Sequence, residues 1–115
     1  MSQSSDIVFS ISLDENNVPE KITWEATDSG QPASECKSVF VSLWDEKEEN
    51  TLRIDLWTKE MMVDDMKKFV HQTMVTMADT FERATGEAEM AKDMREFSRY
   101  FAEKLKLIPP GQSSN

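Results

Sequence analysis

Glu35-Cys36-Lys37-Ser38-Val39-Phe40-Val41-Ser42-Leu43-Trp44-Asp45 can be read with either of two periods, and the choice sets the order of elements. As a strand, Val39, Val41 and Leu43 share one face while Phe40 and Trp44 point to the other. As a helix, Cys36, Val39, Phe40, Leu43 and Trp44 fall at i, i+3, i+4, i+7 and i+8 and form a single stripe. Ser34 suits an N-cap and Glu35 the first helical turn. The two valines cost a helix only roughly a few tenths of a kcal/mol each. On that balance the spacing predicts a helix over 35–45 with Phe40 and Trp44 turned inward.

Upstream, Ile7, Phe9, Ile11 and Leu13 alternate with polar residues, broken only by Val8, as in a half-buried strand. Asp14-Glu15-Asn16-Asn17-Val18-Pro19 is turn chemistry, because Asn tolerates the left-handed region and Pro fixes φ. A second alternating run follows, with Ile22, Trp24 and Ala26 against Thr23 and Glu25, so the two runs form an antiparallel hairpin. Its connection is longer than a two-residue turn and leaves the register open. Residues 28–32 read as a loop.

Downstream, a charged loop over 45–50 leads into a strand in which Leu52, Ile54 and Leu56 alternate with Arg53, Asp55 and Trp57. Met61 or Met62 opens a long helix to about Ala84, with Met66, Phe69, Val70, Thr73, Met74, Met77 and Phe81 at spacings of three and four. Gly86 supplies its stop. A last helix over about 87–107 carries Met90, Met94, Phe97, Phe101 and Leu105 on one face, and Pro109-Pro110-Gly111 ends it. The expected core includes Phe69, Met77, Phe81, Phe97 and Phe101. The order is β-β-α-β-α-α: an α+β domain at 6–108, with a small antiparallel three-stranded sheet, helices packed on one of its faces, and disordered ends at 1–5 and 109–115.

A chain of 115 residues is expected to be one domain, and six Phe, three Trp and eight Met suffice for its core. The net charge of −9 repels phosphate backbones and anionic lipid, so nucleic acid is not an expected partner. No apolar run reaches the ~20 residues that span a bilayer. The lone Cys36 and the lack of a basic, continuously apolar leader point to the cytoplasm.

Three glycines cannot build a phosphate-cradling loop, and no GxGxxG, GxxxxGK[ST] or GxSxG occurs. His71 is the only histidine, and Asp79 and Glu82 do not share its helical face, so it reads as a solvated side chain and not as a ligand or base. The paired carboxylates sit in turns or at a helix start, where solvent and the helix dipole account for them. No catalytic, metal or cofactor-binding residue is expected. The methionines read mainly as core filling between helix and sheet, with exposure expected for Met61 and Met62. Parity turns Arg53, Asp55 and Trp57 away from the apolar face, and Arg and Trp are typical interface anchors. Arg53, Asp55, Trp57, Met61 and Met62 are therefore the candidate partner-binding residues. The alternative for Trp57 is to fold back over Met61 or Met62 as a packed residue. A second copy of the chain is among the partners such a face could take.

The string Asn50-Thr51-Leu52-Arg53-Ile54-Asp55-Leu56-Trp57-Thr58-Lys59-Glu60-Met61 and the later Met77-Ala78-Asp79-Thr80-Phe81-Glu82-Arg83-Ala84-Thr85 resemble the GldC family of gliding-motility proteins. Leu13-Asp14-Glu15-Asn16, Val18-Pro19-Glu20-Lys21, Leu43-Trp44-Asp45 and Tyr100-Phe101-Ala102-Glu103-Lys104-Leu105 match in the same order, so the similarity spans about residues 6–107. The resemblance implies a cytoplasmic, non-enzymatic accessory or adaptor protein of the gliding apparatus and its linked secretion machinery, acting through protein contacts. The competing reading is a small acidic secretion chaperone that holds export substrates.

Overall fold

The computed structural model describes residues 3–28 and 30–108. The expected disordered tail at 109–115, and the first two residues of the expected disordered start, lie outside the described residues. Five strands precede two helices: β1 Ile7–Leu13, β2 Pro19–Ala26, β3 Gln31–Cys36, β4 Ser38–Asp45, β5 Asn50–Trp57, α1 Val63–Thr85 and α2 Ala88–Lys104. The class is α+β, as the periodicities imply, but the helix expected over 35–45 is absent. In its place stand the end of β3, a bend at Lys37 and β4, which begins pairing with β5 at Ser38↔Trp57. Of the expected loop over 28–32, Gln31 and Pro32 belong to the start of β3, while Asp28 and Gly30 are turn residues. The chain divides into two compact units between Met61 and Met62.

In the β unit, β1, β2 and β3 form one antiparallel sheet in that order, and β4 and β5 form a second. The register of the first hairpin sets Ile7 opposite Ala26, Phe9 opposite Trp24 and Ile11 opposite Ile22. Trp24 therefore shares the apolar face of β1. Cys36 and Ser34 continue that face on β3, opposite Ile22 and Trp24. Pro32 has no N–H for a ladder, and it sits on an edge strand where two residues, Pro32 and Ala33, face Glu25 alone. In the second sheet Val39, Val41 and Leu43 lie opposite Leu56, Ile54 and Leu52. Phe9, Ile11, Val39, Val41, Ile54 and Leu56 line one pocket of about 250 Å³, where apolar faces of both sheets converge. Ile22 is the largest apolar side chain with no exposure.

The β1–β2 and β4–β5 loops are each built on an aspartate and a left-handed residue other than glycine. Asp14 accepts the Asn17 N–H on its carbonyl (3.0 Å), and its Oδ1 accepts the N–H groups of Asn16 (2.8 Å) and Val18 (3.0 Å), with Asn17 at φ 62°. Asp45 repeats the device, accepting the Glu49 N–H at 2.8 Å and the Lys47 N–H on Oδ1 at 3.1 Å, with Glu49 at φ 53°. Side-chain acceptors of this kind mimic a backbone turn and set its tightness.

In the helical unit, α1 ends as expected at Gly86, whose φ of 75° lets its N–H reach the Glu82 carbonyl at 2.8 Å. The second helix stops before its prolines. Lys106 turns left-handed, its N–H meets the Glu103 carbonyl and the Leu107 N–H meets the Ala102 carbonyl, a Schellman closure. Arg95 of α2 bonds Asp79 (2.8 Å) and Glu82 (2.7 Å) of α1 across the helix pair.

The buried residues of this pair are not the expected large ones. They are His71, Val75 and Ala78 on α1 and Ala91, Ser98 and Ala102 on α2. Phe69, Phe81 and Phe101 are half-buried, whereas Met77 is 49% exposed and Phe97 57%. His71 is not solvated either. It is buried, stacked on Phe101 at 6.4 Å and 7° between planes, and its Nε2 has no hydrogen-bond partner among the described residues.

Core and cap differ in what a substitution costs. Ile22→Ala is expected to cost about 2–5 kcal/mol by cavity formation, whereas Phe97→Ala stays within about 0.5 kcal/mol, both read by urea unfolding. A Cβ added at Gly86 meets nothing within 4 Å, so Gly86→Ala carries only the left-handed backbone penalty of about 1–2 kcal/mol, seen as a lowered Tm of the helical circular dichroism signal.

Candidate docking face on the second sheet

Pairing of β4 with β5 fixes what lies opposite the apolar face. Moving along the ribbon, the cross-strand pairs are Ser38 with Trp57, Phe40 with Asp55, Ser42 with Arg53 and Trp44 with Thr51. Side chains alternate strictly on a strand, so all eight belong to one face. Trp57 is 55% exposed and Trp44 68%, one near each end of a ribbon about 20 Å long between them.

Between the tryptophans, the Arg53 guanidinium lies 5.8 Å from the centre of the Phe40 ring and 2.8 Å from Asp55 Oδ1. An arginine held over an aromatic face presents a flat, weakly hydrated surface. Its ion pair with Asp55 leaves the middle of the face with no net charge. Both partners are substantially exposed, so the pair contributes little to stability. Its effect is on orientation.

The end of β5 is tied down by the first hairpin. Lys59 Nζ sits 2.7 Å from Asp14 Oδ2 and 3.8 Å from Glu20, and Thr58, buried two residues before the turn ends, donates its N–H to the Lys37 carbonyl at 2.9 Å. Trp57 thus stands between a fixed strand and a fixed turn, beside Val18, Pro19, Asp55 and Leu56, with which it lines a shallow pocket. The Lys59 hydrogen bond, helped by the Val18 N–H, pulls the Asp14 carboxyl down from its ordinary 3.8 to about 2. The same bond holds Lys59 above its ordinary value.

The structure brings Arg53, Asp55 and Trp57 together as parity implied. Met61 follows them in the turn closed by its own N–H on the Thr58 carbonyl (3.1 Å) and is half-buried. Met62 is exposed at the start of the helical unit, as the residue before α1. Phe40 and Trp44 are the residues that the helical reading of 35–45 misassigned. The strand parity of the same eleven residues already put both on the face opposite Val39, Val41 and Leu43. Among the described residues no three His, Cys, Asp or Glu side chains are grouped so as to hold a metal ion. No described helix is long and apolar enough to cross a membrane.

The family model described as gliding motility-associated protein GldC-like matches residues 19–107, from the start of β2 to just past α2. The chain belongs to the GldC-like family. No curated protein and no solved structure matches it. For this GldC-like chain the family match covers β4, β5 and both helices, so the aromatic face lies wholly within it.

The Asp14–Lys59 contact gives a pH signature. A carboxyl whose folded pKa lies below its unfolded one stabilises the fold above about pH 4, and that contribution fades as pH falls towards about 2. Asp14→Asn keeps an acceptor for the turn but loses the charge. Its destabilisation relative to the parent is expected to be constant above pH 5 and to vanish towards pH 2 in urea titrations followed by tryptophan fluorescence.

Proposed function

We propose that this chain is a non-enzymatic adaptor of the gliding-motility apparatus and its linked secretion machinery, acting in the cytoplasm through protein contacts. Family membership supports the association with gliding motility. The adaptor role rests on one observation, the exposed Trp44 and Trp57 flanking an Arg53–Phe40 contact on a sheet face opposite the apolar one. Interface hot spots are enriched in Trp, Tyr and Arg, and Trp buries much area with few rotors to freeze. A solvated antiparallel face ordinarily carries polar side chains instead.

Crosslinking of the tagged protein in its own cell tests the reading. Recovery of envelope-machinery proteins by the parent, and its loss in a folded Trp57→Ala variant with unchanged Tm, is the expected result. Recovery of unfolded exported clients instead moves the chain to the chaperone class. A Trp57→Ala variant that loses stability but keeps its partners makes Trp57 a packing residue and removes this face from the adaptor reading.

A further inference from the structure

The first sheet has an edge that no described strand takes. At the two ends of the β1–β2 ladder the Thr27 N–H meets the Asp6 carbonyl (3.1 Å) and the Asp14 N–H meets the Val18 carbonyl (2.9 Å). Asp6 and Asp14 therefore turn their backbone groups towards β2. Antiparallel pairs alternate between bonded and non-bonded, so Val8, Ser10 and Ser12 do the same, towards Glu25, Thr23 and Lys21. The N–H and C=O groups of Ile7, Phe9, Ile11 and Leu13 are left pointing to the other side. Among the described residues β2 is the only strand paired with β1, and no hydrogen bond reaches these four outward units. All seven residues of β1 are exposed.

A row of outward peptide groups at this spacing is matched by another extended strand. Edge strands are ordinarily blunted by charge, proline or a bulge. The opposite edge of the sheet, β3, carries Pro32 and Glu35, and β5 carries Arg53 and Asp55. Ile7-Val8-Phe9-Ser10-Ile11-Ser12-Leu13 has no ionisable side chain, proline or glycine.

We propose that this edge is the seam of a homodimer. In it β1 pairs antiparallel with β1 of a second copy about a twofold axis at Ser10, joining two three-stranded sheets into one of six strands. The pattern of the strand selects its own copy. With Ser10 opposite Ser10 all seven residues overlap, Ile7 faces Leu13 and Phe9 faces Ile11. Those are the residues whose outward groups are open, so each pair exchanges two hydrogen bonds and sets apolar against apolar on one face. No other registration overlaps the whole strand. On β4 the Thr58 N–H bond to the Lys37 carbonyl fixes the outward positions as Ser38, Phe40, Ser42 and Trp44. A twofold centred on those four sets each aromatic against a serine.

The acids of the β unit stay off this seam. The nearest is Asp6, which comes opposite Asp14 of the second copy, and that carboxylate is already held by its own Lys59 at 2.7 Å. A charged foreign segment, by contrast, finds no ionisable partner along β1. The joined sheet also ends itself, because both of its outer edges are then β3, whose Pro32 offers no N–H to a further strand. The seam shares no residue with the Trp44–Trp57 face, so this inference and the adaptor reading can each fail alone.

Sedimentation equilibrium of the full chain at physiological salt is expected to give twice the 13.2 kDa of one chain. A single-chain mass at every concentration overturns the proposal and leaves the edge to a strand of another protein. Register is read by cysteine trapping in a Cys36→Ser background, with circular dichroism confirming that each variant is folded. Facing residues of a non-bonded antiparallel pair lie about 4.5 Å apart at Cα, within disulfide reach. Ser10→Cys is therefore expected to give a covalent dimer under mild oxidation. Val8→Cys or Ser12→Cys alone should not, since each lies about 13 Å along the ladder from its own copy, but the two mixed should cross-link. Trapping of either alone as readily as Ser10→Cys means another register or random collision, and overturns the proposal. A dimer whose Ser10→Cys chains stay uncross-linked is joined elsewhere, which overturns it too. Ser10→Asp, at an exposed position, sets two carboxylates together at the axis and should weaken the dimer on the order of tenfold. Unchanged association of that variant removes the seam from β1.

Discussion

A strand has two faces, and fixing which residues share one of them fixes the other. That constraint, applied to β4 and β5, governs both the architecture of the β unit and its chemistry. Once Val39, Val41 and Leu43 lie opposite Leu56, Ile54 and Leu52, the intervening residues have no freedom. Phe40, Trp44, Arg53, Asp55 and Trp57 must share the other side. The Thr58–Lys37 hydrogen bond and the Lys59–Asp14 ion pair then hold the end of β5, so that the outward residues keep one geometry instead of sliding by a residue and exchanging faces.

The misreading of 35–45 has a physical cause. Apolar residues occupy both faces of β4, and a strand of that kind places apolar side chains at consecutive positions, which also satisfies a helical stripe. Period alone cannot separate the two. What separates them is composition. Val39, Val41, Phe40 and Trp44 are β-branched or aromatic, types that fit a pleated surface, and the partner run 50–57 was legible as a strand without any ambiguity. Lys37 also breaks any continuous helix at a bend where its carbonyl is claimed by Thr58. The first hairpin, the Gly86 stop and the parity of Arg53, Asp55 and Trp57 were readable because each depends on local chemistry. The register that sets Trp24 beside Phe9 was not, because it depends on how Asp14 closes its turn.

The helices teach the converse lesson. Large apolar side chains mark a helix face but not the line of closest approach. Two helices approach most closely where side chains are shortest, so Ala78, Ala91, Ser98 and Ala102 became the seam, and Met77 and Phe97 were left at its edge. The burial of His71 is not legible in the sequence either. A lone histidine on a charged helix looks solvated until Phe101 is seen lying flat against it.

Charge divides along the chain as well. Residues 1–61 carry thirteen acidic and five basic side chains, residues 62–115 nine and eight, so nearly all of the net −9 belongs to the β unit. Within that unit the excess acid lies largely in turns, at Asp14, Glu15 and Asp28 and again at Asp45, Glu46, Glu48 and Glu49. The aromatic face between them is neutral, since Arg53 and Asp55 pair. The separation assigns different work to different groups. Exposed acids act over about a Debye length, roughly 8 Å at physiological salt, and raise the encounter rate with a basic surface. Tryptophans act only on contact, by the area they bury. Docking at this face as proposed would depend on salt mainly in how fast a partner arrives, and on Trp44 or Trp57 mainly in how long it stays.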